Sequence, residues 1–76
     1  MLKVKQPVGG LIRELRLLTG LTQEQFAASL GVTYSTINRW ENGRSQPSPI
    51  AMKLIQQRLE EMGEQGKELL EKYLGN

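Results

Sequence analysis

The chain contains no cysteine, no histidine and no aspartate among its 76 residues. Without cysteine there are no disulfide staples and no thiolate chemistry. Without histidine the imidazole base and most zinc sites are gone, and without aspartate so is the EF-hand calcium loop. Glu, Lys, Ser, Thr and Tyr remain, on too short a chain to hold an active-site constellation. The expectation is a protein that is not an enzyme and uses no metal and no cofactor. No apolar run approaches the roughly 18 residues needed to span a bilayer. Met1 to Val8 are too few and too polar for a secretory signal, so a soluble, cytoplasmic protein without membrane contact is expected. A chain this short buries only about 60% of its unfolded surface on folding, which suits one small domain that gains stability from a partner or from self-association.

Charge is unevenly placed. The overall balance is +2, from ten Lys+Arg against eight acids. Residues 1–58 hold eight cations against Glu14, Glu24 and Glu41, a net of +5, whereas residues 59–76 hold Lys67 and Lys72 against five glutamates, a net of −3. A basic body with an acidic tail suits a polyanionic partner for the body. Pro7, Gly9 and Gly10 separate a short basic arm, with Lys3 and Lys5, from the first helical pattern. The expected organisation is an arm over residues 1–8, a helical body over 9–62 and an acidic amphipathic segment over 63–76.

Leu11, Leu15 and Leu18, widened by Ile12, make a helical stripe that Gly20 ends, predicting a helix over Gly10 to Thr19. Thr22 then reads as an N-cap with Gln25 closing a capping box, and Leu21 and Phe26 as the hydrophobic staple around it. This helix runs from Gln23 to Leu30 and stops at Gly31. Thr33 is the next N-cap, with Val32 and Ile37 as a second staple, for a helix from Tyr34 to Glu41 or Asn42. Two short helices joined by a tight turn at a glycine form a helix-turn-helix. Ser48 as N-cap and Pro49 at the first helical position open a further helix whose stripe is Met52, Ile55, Leu59 and Met62, flanked by Ile50 and Leu54. Gly63 and Gly66 interrupt it, and Leu69, Leu70, Tyr73 and Leu74 make a last amphipathic segment.

On a helical wheel, Ile37 and Trp40 share the inward side of the third helix. Tyr34, Ser35, Asn38, Arg39 and Asn42 cluster on the opposite side. That outer face carries hydrogen-bonding groups and one cation but no carboxylate, whereas an ordinary solvated face carries Glu and Lys. Such side chains can reach base edges in the major groove of DNA, an Arg bidentate to guanine being the commonest specific contact.

The run IRELRLLTGLTQEQFAASLGVTYSTINRWENGRSQPS resembles the phage-repressor/Cro-like, or XRE-like, helix-turn-helix regulators. LTQEQFA, the LGV turn and the stretch from Ser35 through Trp40, Glu41, Asn42 and Gly43 carry the likeness. It implies an all-α, lambda-repressor-like domain of about five helices whose third helix enters the major groove. By position, the resemblance assigns base contacts to Tyr34, Ser35 and Arg39, with Thr36 and Asn38 as additions. It assigns phosphate contacts to Gln23, Asn42 and Arg44, and a structural ion pair to Arg16 and Glu41. After Gly43 the chain departs from the phage repressors, with fewer basic residues in the RSQPSP loop.

The function this implies is sequence-specific binding of double-stranded DNA by a small transcriptional regulator, a dimeric repressor with no small-molecule effector. A homodimer would use the surplus apolar face from Ile50 to Met62 together with Leu69–Leu74, unless that last segment folds back on the chain's own core. The alternative is an antitoxin that binds DNA to autoregulate and neutralises a toxin protein through its C-terminal segment.

Overall fold

The computed structural model describes residues 3–4 and 7–75. Its helices are α1 (Val8–Thr19), α2 (Gln23–Leu30), α3 (Tyr34–Glu41), α4 (Pro49–Glu61) and α5 (Glu64–Tyr73). A two-residue antiparallel ladder joins β1 (Lys3–Val4) to β2 (Leu74–Gly75), with Lys3 opposite Gly75 and Val4 opposite Leu74.

Local chemistry starts three of the helices. The Thr22 hydroxyl accepts from the Gln25 N–H at 3.1 Å, and the Gln25 side-chain oxygen accepts from the Thr22 N–H at 3.0 Å. Two donors that an α-helix leaves unpaired at its start are thereby satisfied. The Thr33 hydroxyl receives the Thr36 N–H at 3.2 Å, and the Ser48 hydroxyl receives that of Ala51 at 3.2 Å, ahead of Pro49 in the first turn of α4. Between α2 and α3 the chain reverses at Gly31, whose φ of 74° is a left-handed conformation that a side chain would strain. Replacing Thr22 with alanine should lower stability by about 1 kcal/mol through the lost cap. An unchanged urea midpoint would mean that α2 does not depend on it.

Leu11, Ile12 and Leu15 of α1, Phe26 of α2, Ile37 of α3, and Ile55 and Leu59 of α4 are fully buried. Leu69, Tyr73 and Leu74 join the same core. Of the two destinations open to the last amphipathic segment, it therefore takes the intramolecular one. The Tyr73 hydroxyl donates to the Glu14 carboxylate, which also receives Lys72 at 3.2 Å, pinning α5 to α1. That bond pushes the Tyr73 hydroxyl up to about 12 and, with Lys72, draws the Glu14 carboxyl below its ordinary range.

Several sequence expectations change. The first helix begins at Val8, not Gly10, because Val8 packs into the core. The helix thus takes in Val8, the last residue assigned to the arm. Lys3 stands in the ladder with its backbone paired to the C-terminal strand, while Lys5 lies outside the described residues. Leu18, placed on the inward stripe, is 38% exposed: it shares the wheel direction of Leu11 but stands in the last turn of α1, at the edge of the core. Gly66 does not interrupt a helix: it lies inside α5, buried, where the missing side chain lets α5 close on the Leu59 carbonyl of α4. On α4, Ile55 and Leu59 are buried, whereas Ile50 is 75% exposed and Leu54 is exposed as well.

Candidate functional site

Burial of Ile37 and Trp40 seats α3 in the core, against α1 and α2, and turns its opposite side outward. Arg58 of α4 braces α2 from behind, donating to the Ser29 carbonyl at 2.6 Å and the Ser29 hydroxyl at 3.3 Å. On the outward side, Tyr34 is 49% exposed, Ser35 and Arg39 are exposed, and Asn38 is half-buried. The Arg39 guanidinium makes no hydrogen bond or ion pair with any other described residue, so its five donors are available to a ligand.

The other residues singled out in the sequence fall into two groups. Thr36 is half-buried and turned toward the cap, its hydroxyl 2.9 Å from that of Thr33; the Ser35 hydroxyl is 3.2 Å from the same atom. At the far end of α3 the Asn42 amide donates to the Asn38 backbone carbonyl at 2.9 Å and to the Asn38 side-chain oxygen at 3.1 Å. Arg44 follows with an exposed side chain and a backbone N–H bonded to the Arg39 carbonyl at 2.9 Å.

Behind this face lies Glu41, whose side chain is 1% exposed. Its Oε2 receives Arg16 Nε at 2.8 Å, and its Oε1 receives Arg16 Nη2 at 3.2 Å and Gln23 Nε2 at 3.0 Å. Arg13 Nε stands 3.6 Å from Oε1. Burial pushes the Glu41 carboxyl up, but the hydrogen bonds from Arg16 and Gln23 and the nearby guanidinium charges outweigh it, leaving it below the ordinary carboxylate range. The hydrogen bonds to Glu41 and its charge raise Arg16 in turn. Three helices thus meet on one carboxylate: α1 through Arg13 and Arg16, α2 through Gln23, and α3 through Glu41 itself. Sequence reasoning passed over Arg13. Its spacing of three from Arg16 puts both on one side of α1 and was the available signal.

Arg16, Thr22, Gln23, Glu24 and Tyr34 line an open recess beside the start of α3. The capping box occupies the N–H groups of Thr22 and Gln25, which leaves those of Gln23 and Glu24 as the unpaired donors at the start of α2. Such a helix end favours negative charge. Among the described residues no group of three metal-ligating side chains comes together, and no helix is long and apolar enough to cross a membrane.

Residues 12–61, more than half of the chain, match the helix-turn-helix family model, in keeping with the lambda-repressor-like arrangement of the five helices. A protein of Methanothermobacter thermautotrophicus described as an uncharacterized HTH-type transcriptional regulator is 55% identical over 40 residues, which cover 53% of this chain and 58% of that protein. The match therefore spans less than two thirds of that relative. No solved structure matches the chain.

Proposed function

The chain belongs to the XRE-like helix-turn-helix family, and we propose that it reads double-stranded DNA in a sequence-specific way as a small transcriptional regulator. The observation that carries this reading is the outward side of α3, where an unpaired Arg39 stands with Tyr34, Ser35 and Asn38 and no carboxylate. Eight residues at about 1.5 Å each make a helix near 12 Å long, comparable with the width of the major groove. In this reading Arg39 takes a guanine, and Tyr34, Ser35 and Asn38 meet neighbouring base edges. Thr36, whose hydroxyl is engaged with Thr33, meets them through its methyl group. Gln23, Asn42 and Arg44 grip phosphates and set the register without reading sequence.

One such helix covers few base pairs, and a homodimer on a two-fold site supplies the missing affinity. On the α4 face singled out in the sequence, the exposed Ile50 and Leu54 are available for that contact. Repression then follows from occluding the polymerase. The antitoxin alternative draws no support from α5, whose Leu69 and Tyr73 are buried in the chain's own core. The relative described as a transcriptional regulator supports the same choice.

The test is selection from a random duplex pool as a function of salt. The expected product is an inverted repeat with half-site centres about 34 Å apart, bound with an affinity that falls steeply with salt. Sequence-blind binding, or none, would overturn the reading. On the selected site Arg39→Ala should cost about 1–3 kcal/mol, with little change on random DNA. Equal losses on both would remove Arg39 from base readout.

A further inference from the structure

The geometry points to Glu41 as a positioning residue for the contact that Gln23 makes with the DNA backbone. This rests on the DNA-binding reading above and extends it to a residue that touches no DNA. A tie between α1 and α3 needs only the two bonds from Arg16 to Glu41, at 2.8 and 3.2 Å. The third bond, from Gln23 Nε2 at 3.0 Å, adds a side chain of α2 that lines the recess.

A carboxamide nitrogen carries two hydrogens. With one given to Glu41, the other leaves the same planar group in a set direction. Flipping the carboxamide would bring its oxygen against the carboxylate, acceptor against acceptor, so the donor end is held in place. A long polar side chain normally loses freedom when it binds, and here that freedom is already restricted before DNA arrives. Arg13 and Arg16 offset the charge of Glu41, so the buried carboxylate orients Gln23 without making this corner anionic.

Charge alone calls for the opposite experimental sign. Glu41→Gln removes a negative charge close to the proposed phosphate and on electrostatics should tighten binding. A glutamine there keeps the volume but turns its NH2 against a donor in either orientation, Arg16 Nε where Oε2 stood or Arg16 Nη2 and Gln23 Nε2 where Oε1 stood. The three bonds cannot all form, and a bond from Gln23 no longer ends on a carboxylate.

The experiment measures anisotropy of a labelled short random-sequence duplex pool at low salt. It uses the full chain as wild type, Glu41→Gln, Gln23→Ala and the double variant, at a temperature where thermal melts show each one folded. Phosphate contacts do not depend on sequence, so no operator is needed. Glu41→Gln should weaken binding about fivefold, the worth of one hydrogen bond, despite its higher net charge. That loss should vanish in the Gln23→Ala background. Binding by Glu41→Gln as tight as wild type or tighter, or an equal loss in both backgrounds, overturns the positioning role while the DNA reading stands. Absence of binding by the wild type itself overturns both. Should Glu41→Gln not fold, the wild-type Gln23 carboxamide signals are followed by NMR through the titration of Glu41. They should shift with it, and indifference to that titration overturns the role.

Discussion

Gly66→Ala is expected to destabilise the fold by more than about 3 kcal/mol, in the upper range for single substitutions. A methyl group at this position would lie 1.7 Å from the Leu59 carbonyl oxygen and 2.6 Å from its carbon, where ordinary contact begins at 3.4 Å. The obstruction is backbone, so no rotamer change relieves it. The same carbonyl oxygen accepts the Met62 N–H at 3.1 Å at the end of α4, so moving it also disturbs that terminus. Helix propensity works in the opposite direction, since alanine inside a helix is better than glycine by about 1 kcal/mol. Sterics win because α5 would have to retreat by more than an ångström, taking Leu69 and Tyr73 away from the core. For a domain of this size the loss corresponds to a fall in melting midpoint of about 12 °C or more. Gly20→Ala is the control: its φ of 74° is an ordinary left-handed cap that strains a side chain only mildly, and nothing stands within 4 Å. It should cost only about 1 kcal/mol. Equal midpoints for the two variants would contradict the close approach of α5 to α4.

Gly66 also shows what the sequence conceals. A glycine inside an amphipathic run reads as a break, and only the neighbouring backbone reveals that it is a contact. The capping residues are the opposite case. Thr22 with Gln25, Thr33 with Thr36 and Ser48 with Ala51 each act across three residues, so their geometry follows from local order and was legible in full. The same holds for the two sides of α3, where Ile37 and Trp40 turn inward by helical period alone. The destination of Leu69 and Leu74 was not legible. An apolar stripe announces that it will be covered but does not say by what, and here the cover is α1 and α4 of the same chain. Val8 was missed for a related reason: Pro7 supplies no side-chain cap, so nothing local marks where α1 begins. Within the candidate site, the outward residues of α3 followed from the wheel. The pairing of Arg16 with Glu41, 25 positions apart, came only from the family resemblance, and the bond from Gln23 to Glu41 from neither source.

Glu41→Ala should lower stability by about 3 kcal/mol, because it strands donors from two helices at once. Breaking a buried ion pair by removing one partner typically costs 3–5 kcal/mol. The low end applies because the side chain of Arg16 keeps 16% exposure and Arg13 keeps 56%, so both guanidinium groups can regain some water. A urea titration gives the magnitude, and pH supplies the signature. The folded carboxyl titrates below its ordinary value of 4.5, so above that value the wild type holds all of the stability linked to Glu41. It loses that stability as pH falls through the lower, folded value. Glu14, also drawn down in the folded state by Tyr73 and Lys72, adds to the same acid loss. The variant should therefore begin less stable at neutral pH and decline less on acidification, with the remaining slope belonging to Glu14. Parallel pH curves for wild type and variant would mean that Glu41 is ionised no more readily in the folded protein than in the unfolded chain, and the three-helix junction would lose its electrostatic explanation. Glu41→Ala combined with Arg16→Ala should be less damaging than the sum of the two single changes, since the second removes a donor that the first has already deprived of its partner.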